Sequence, residues 1–205
     1  MHNQTRRNPV LLIHGIDDTA AIFWRLAPAL ESLGWSVHQI DLIPNNGDVG
    51  LDQLAEQVAD YVEKTFAPDQ PIDLVGFSMG GIIGRYYVQR LGGIQQVQRF
   101  ITISSPHNGT WTALLRPNLG ASQMRINSEF LEALNRDAKQ LEQLNFTSIW
   151  TPFDSMIVPA NSSEMSVGRN CPIWVGGHAW MVTDAKSILT IAQALAEPVR
   201  ALQLC

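Results

Sequence analysis

The stretch Val75-Gly-Phe-Ser-Met-Gly-Gly81 (VGFSMGG) decides the expected fold. Residues 72–77 form an apolar, β-branched run that predicts a buried strand, and residues 82–91 predict a helix. Ser78 therefore stands at a strand-to-helix corner, with a glycine two positions away on each side. Glycines keep such a tight corner free of side chains, and the strained serine presents its hydroxyl beyond the sheet edge. The pattern predicts a serine nucleophile, and an ordinary glycine-rich connection is the alternative interpretation.

The composition indicates one globular domain over residues 1–205. Hydrophobic residues make up 45% of the chain and charged residues 16%, which is typical of a folded domain. The net charge of −5 argues against nucleic acid or an anionic membrane surface as a partner. The apolar run at residues 10–13 is too short for a signal sequence or a membrane span, so we expect a soluble, cytoplasmic protein. The histidines and cysteines show no metal-ligand spacing, so the sequence predicts neither a metal site nor a cofactor.

Strand-like and helix-like segments alternate along the chain. Strands are predicted at residues 9–13, 35–41, 72–77, 97–104, 147–151 and 172–175, and helices at 20–33, 52–66, 82–91 and 183–195. This alternation predicts an α/β fold with about six strands in a mostly parallel sheet and helices on both faces. Catalytic groups are then expected at the carboxyl ends of the strands.

The segment 116–146 is longer than a simple connection and predicts a helical insertion. Its residues 128–144 have the apolar spacing of one amphipathic helix. The helix is interpreted as a fixed cover packed on the sheet, and a mobile lid over the site is the alternative.

Ser78 needs a base to remove its proton, and that base needs an acid to orient it. In folds that place the nucleophile in a G-x-S-x-G corner, these groups follow in the chain order serine, acid, histidine. His178 follows the sixth predicted strand and is the expected base, and Asp154 follows the fifth and is the expected acid. His107 is the alternative base and Glu164 the alternative acid.

Backbone N–H groups that face the developing negative charge of the substrate complete such a site. One is expected from Met79, at the start of the helix, and the other from Ile16, in the loop after the first strand. His14 is interpreted as a residue that braces this loop. The expected substrate pocket is lined by nearby apolar residues, namely Ile16, Met79, Ile157 and Val158.

Five motifs together resemble the compact bacterial lipases and esterases of the α/β-hydrolase fold. They are PVLLIHGIDD, DLVGFSMGG, ISSPHNGT, TPFDSMIVP and GGHAWMV, in the order and spacing of that family from residue 9 to about residue 196. The resemblance implies a triad of Ser78, Asp154 and His178, with the amides of Ile16 and Met79 as the oxyanion hole. It implies that SSPHNGT is a structural turn and that NSEFLEALN belongs to a covering helix. No segment matches the large cap domain or the calcium ligands of the bigger lipases.

The expected activity is hydrolysis of carboxylic esters, with acylglycerols or other lipid esters as substrates and transient contact with lipid surfaces. Ser78 would carry the acyl group of an acyl-enzyme intermediate, which water then cleaves. Transfer of the acyl group to another acceptor and hydrolysis of small soluble esters are alternatives. A binding protein that keeps the fold without catalysis is a further alternative.

Overall fold

A computed structural model describes residues 7–199, in which six strands form one parallel sheet. The strands are β1 (Val10–Ile13), β2 (Val37–Ile40), β3 (Ile72–Phe77), β4 (Val97–Ile103), β5 (Asn145–Trp150) and β6 (Arg169–Pro172). Their spatial order is β2-β1-β3-β4-β5-β6, and every neighbouring pair is parallel. The parallel α/β architecture predicted from the alternating segments is confirmed.

Helices cover both faces of this sheet. They are α1 (Leu26–Ser32), α2 (Leu51–Thr65), α3 (Met79–Arg90), α4 (Leu119–Gln123), α5 (Glu129–Arg136) and α6 (Ala185–Ala196). Successive residues of a strand point to opposite faces, so Leu11 and Ile13 pack with α2, α3 and α5, whereas Val10 and Leu12 pack with α1 and α6. The two apolar layers that result hold the sheet rigid beneath its carboxyl edge.

Most predicted elements have ends that shift by one to three residues, and three of them differ in a way that has a clear physical reason. The last strand was expected at residues 172–175 but is Arg169–Pro172, an edge strand whose side chains are mostly exposed. Because β6 pairs with β5 alone, its residues need not be apolar, and the apolar signal came from Ile173 and Val175, which pack in the core just beyond it.

The two other differences are interrupted helices. The segment expected as one helix at residues 128–144 is α5 followed by a 3-10 turn at Ala138–Gln143, with the break at Asp137. The segment expected at 20–33 is likewise a 3-10 turn at Ala20–Phe23 followed by α1. Most of the apolar residues on the expected faces of both segments are buried, although Leu33 at the end of α1 is exposed. A 3-10 turn is a short, tighter continuation of helical structure, so the interruptions leave most of each apolar face in place.

Within residues 7–199 no helix is long and apolar enough to cross a membrane. The topology brings the candidate catalytic residues to one edge of the sheet. The loops that carry His14, Ser78, Asp154 and His178 follow β1, β3, β5 and β6 respectively, so all four leave the carboxyl ends of parallel strands.

Candidate active site

Ser78 occupies a strained corner between β3 and α3. Its backbone has φ 54° and ψ −122°, a region that side-chain-bearing residues rarely adopt. Its amide donates to the Ile103 carbonyl at 2.8 Å, which fastens the corner to β4. The strain lifts the side chain out of both the sheet and the helix.

The two glycines that flank the corner have no room for a side chain. A Cβ on Gly76 would lie 2.6 Å from the carbonyl oxygen of Gly80. A Cβ on Gly80 would lie 2.3 Å from the Ile13 carbonyl oxygen and 2.5 Å from that of His14. Both contacts are with backbone atoms, so the glycine spacing is a steric requirement of the corner.

Asp154 and His178 form a tightly bonded pair. His178 Nδ1 lies 2.7 Å from Asp154 Oδ2 and 3.0 Å from Oδ1, although the residues are 24 positions apart. Oδ1 also accepts the amides of Met156 at 2.9 Å and Ile157 at 2.8 Å. The carboxylate therefore holds the imidazole with its proton on Nδ1, which leaves Nε2 free to act as a base.

These contacts keep Asp154 ionised. Burial alone would raise the pKa of its carboxyl, but the hydrogen bond and charge of His178 and the two backbone amides outweigh burial, and the net pKa lies below the ordinary 3.8.

His178 lies on the same edge as the serine, with its ring 4.9 Å from that of Phe77, the residue immediately before Ser78. In the described part of the chain the Ser78 hydroxyl makes no hydrogen bond with protein, and the residue, although largely buried, lines a cavity. Such contacts between a serine and its base commonly tighten only when substrate binds.

The expected oxyanion amides both lie beside the serine. Gly15 is so close to the corner that a Cβ on it would be 3.0 Å from Ser78 Cβ. Among residues 7–199, no protein acceptor takes the N–H of Ile16 or that of Met79, and the latter begins α3. Two free amides at the positive end of a helix can stabilise an oxyanion.

The loop that carries Ile16 is held by a buried histidine. His14 Nδ1 donates to the Gly15 carbonyl at 2.8 Å, and His14 Nε2 accepts the Leu42 amide at 2.9 Å. With both ring nitrogens bonded to backbone, His14 braces the loop and has no nitrogen available for Ser78.

An apolar cavity of about 320 Å³ opens beside Ser78. Its walls come from Ile16, from residues between Pro106 and Met124, and from the loop after β5, including Met156 and Ile157. Of the four residues expected to line it, Ile16 and Ile157 do so. The Met79 side chain is instead fully buried in the core, and Val158 is exposed and outside the lining.

Two larger hollows, each about 610 Å³, lie at the opposite, amino-terminal edge of the sheet, around Gln98. Neither hollow is lined by Ser78, Asp154 or His178, so the smaller cavity beside Ser78 is the candidate substrate pocket.

Charged residues stand at the mouth of the site. Arg116, which lines the cavity, forms an ion pair with Asp17, and this contact joins the start of the helical insertion to the loop of Ile16. Asp18 follows in the same loop and is half-buried, and burial raises the pKa of its carboxyl above the ordinary 3.8, although His14 and His178 oppose that rise.

The alternative base and acid are placed elsewhere. His107 is fully buried, with Nε2 2.9 Å from the Thr102 hydroxyl, and burial together with Arg85 lowers its pKa well below 6.5. It is a neutral core residue of the Pro106–Gly109 turn. Glu164 is exposed, on a turn whose carbonyl accepts the side chain of Asn108.

Sequence reasoning missed the part of the insertion that forms the cavity wall. Arg116, Ala121 and Met124 line the cavity, whereas α5 packs Leu131 and Leu134 into the core. The exposed apolar residues Leu115 and Leu119, which sit in this stretch among polar neighbours, are the signal that could have identified it. Among the described residues no group of three potential metal ligands is present.

This chain is similar to known proteins in both sequence and structure. Residues 9–124 match the family model described as palmitoyl protein thioesterase. The mature form of a Bacillus licheniformis lipase superposes with a TM-score of 0.76 at 14% identity, covering 95% of this chain and 94% of that chain. A Paleococcus ferrophilus monoacylglycerol lipase gives 0.70 at 13% identity, covering 92% and 95%.

Two further matches cover less of the partner protein. Aspergillus fumigatus lipase B has a TM-score of 0.78 at 20% identity, covering 94% of this chain and 53% of that chain. An α-hydroxynitrile lyase from Arabidopsis thaliana is 32% identical over 83 residues, which is 38% of this chain and 32% of that protein's length. The structural neighbours establish the α/β-hydrolase fold, and residues 7–199 contain no large cap domain.

Proposed function

The chain belongs to the palmitoyl protein thioesterase family, and from this premise we propose that it is a serine hydrolase of acyl esters. The family match covers Ser78 and the loop of Ile16 but ends before Asp154 and His178. The roles of Asp154 and His178 are therefore supported by their position in the sequence and by their mutual hydrogen bonds. The observation that carries the proposal is the Asp154–His178 bond of 2.7 Å at the sheet edge where Ser78 is held in a strained corner.

In the proposed reaction, Ser78 Oγ attacks the carbonyl carbon of the ester while His178 Nε2 takes the hydroxyl proton. The carbonyl oxygen becomes an oxyanion and is bound by the N–H groups of Ile16 and Met79. Asp154 remains ionised and stabilises the imidazolium that forms, because its own pKa is held low. Collapse of the tetrahedral intermediate breaks the bond to the leaving alcohol or thiol, which receives the proton from His178.

The second half of the reaction regenerates the serine. A water molecule gives its proton to His178 Nε2 and attacks the acyl-enzyme through the same oxyanion hole. The carboxylic acid then departs as the proton returns to Ser78 Oγ. Oxygen esters and thioesters follow the same steps, since the site acts on the carbonyl group that they share.

The apolar cavity is proposed to hold the acyl chain, because Ile16 and Ile157 lie on its wall next to Ser78. Its volume of about 320 Å³ is near the lower end of the ~300–1,000 Å³ of small-molecule pockets. Short and medium acyl chains should therefore be preferred over long ones. Acylglycerols and related lipid esters with such chains are the proposed substrate class.

A chain-length series of p-nitrophenyl esters, with matched thioesters and a tributyrin emulsion alongside, tests this proposal. We expect saturable hydrolysis of soluble short-chain esters, with no jump in rate at the solubility limit. Ser78→Ala is the control and should be inactive. Failure of the wild type to hydrolyse any member would refute the proposal, and a sharp rise in rate at the emulsion boundary would show that the insertion at residues 116–146 moves.

A further inference from the structure

An unpaired carboxylate faces the nucleophile. In the described part of the chain the Asp18 side chain takes part in no hydrogen bond or ion pair with protein, although it is half-buried. A Cβ placed on Gly15 would lie 3.1 Å from Asp18 Oδ2 and 3.5 Å from Ser78 Oγ. The two oxygens therefore border the same small space beside Gly15.

Asp18 lies on one particular side of Ser78. It is absent from the lining of the apolar cavity, and its electrostatic neighbours are His14, His178 and Asp17. Asp18 therefore lies on the side of Ser78 that faces His178, and not on the side of the apolar cavity proposed to hold the acyl chain. His178 protonates the departing group in the proposed reaction, so the leaving alcohol or thiol passes through the region that Asp18 borders.

The neighbouring charges do not neutralise Asp18. Asp17 is paired with Arg116. His14 uses both ring nitrogens in hydrogen bonds to backbone, so neither is available to pair with Asp18. His178 is bonded to Asp154, whose negative charge compensates the imidazolium when it forms. Asp18 thus adds an uncompensated negative charge where the leaving group departs.

We infer that Asp18 is a specificity-determining residue, which favours ester and thioester substrates with a cationic leaving group and disfavours those with an anionic one. The inference rests on the proposed function, because it needs an acyl-enzyme on Ser78. A unit charge roughly 7 Å from another at a partly exposed site changes relative rates by about tenfold. Added salt should weaken the preference, since mobile ions screen exposed charges.

The test compares three butyrate esters of similar shape: the choline ester, the neutral 3,3-dimethylbutyl ester and the anionic 2-sulfoethyl ester. Acid release gives kcat/KM for each ester at low salt and at high salt. Wild type should prefer the choline ester to the sulfoethyl ester by at least tenfold at low salt. Asp18→Asn should reduce that ratio about tenfold, whereas Asp18→Glu should retain most of it.

Asp60→Asn is the control, because Asp60 lies exposed on α2 and pairs only with Lys64 among the described residues. It removes the same charge without changing the ratio. An unchanged ratio in Asp18→Asn, or no charge preference in wild type that hydrolyses the neutral ester, would overturn the inference alone. If wild type hydrolyses none of the three esters, the proposed function fails and the inference falls with it.

Discussion

Replacement of Gly80 by alanine should destabilise the protein through one steric conflict. The new Cβ would lie 2.3 Å from the Ile13 carbonyl oxygen and 2.5 Å from that of His14. Ile13 ends β1 and His14 follows it directly, and β1 is hydrogen-bonded between β2 and β3 and cannot move freely. Overpacking of a well-packed site lowers the free energy of unfolding by about 1–3 kcal/mol. Because these contacts are short and involve backbone atoms, we expect a loss of about 3 kcal/mol.

A smaller effect opposes this cost. Gly80 lies in the first turn of α3, and alanine is favoured over glycine in a helix by roughly 1 kcal/mol. The net loss is therefore about 2 kcal/mol, which for a domain of this size lowers Tm by about 4–8 °C.

Thermal and denaturant unfolding followed by circular dichroism would measure the change. Gly177→Ala is the matched control, because a Cβ there meets nothing within 4 Å, and it should stay within about 0.5 kcal/mol of wild type. If Gly80→Ala is as stable as the control, the steric account of the corner is wrong.

Three further predictions concern single residues. Asp154→Asn should lower kcat by roughly 10⁴, because the amide stabilises the wrong imidazole tautomer, while Glu164→Gln should leave kcat within about twofold in the same steady-state assay. His178→Ala should abolish turnover with a smaller loss of Tm than His107→Ala, whose ring is fully buried; retained turnover in His178→Ala and its loss in His107→Ala would exchange their roles. Burial raises the pKa of Asp73 to about 6 against the opposing effects of Asn8 and Arg99, so the stabilisation that its bound proton provides is complete below pH 3.8 and is lost as pH rises through about 6. The free energy of unfolding of Asp73→Asn should therefore rise by about 2–3 kcal/mol relative to that of wild type between about pH 4 and pH 7. Urea titrations at a series of pH values measure this difference, and a difference that does not change with pH would contradict the prediction.

The buried parts of the sheet could be predicted from sequence because inner parallel strands must be apolar on both faces. The runs that became β1 and β3 have this property apart from Asp73, and both strands are entirely buried. The strand β5 is also almost entirely buried, although it carries Thr147 and Ser148. The edge strand β6 lacks it, since residues such as Arg169 and Asn170 can be exposed there. Its true position depends on pairing with β5, which no local pattern records.

The proximity of Asp154 to His178 could be anticipated because residues after adjacent parallel strands share one sheet edge. The lining of the cavity could not be predicted from the sequence. The direction of the Met79 side chain depends on how α3 rotates over the sheet, and here it joins Ile82 and Ile83 in the core. Thr110 enters the wall through a hydrogen bond to the Met156 carbonyl, a contact across 46 residues that spacing cannot predict.

The most direct measurement of the central claim is covalent labelling of the nucleophile. The protein, treated with a fluorophosphonate probe, is digested and its peptides are analysed by mass spectrometry. We expect a single adduct on Ser78 in the wild type, none in Ser78→Ala, and much slower labelling in His178→Ala, since the imidazole activates the hydroxyl. An unlabelled wild type, or an adduct on any other residue, would contradict the assignment of Ser78 as the catalytic nucleophile.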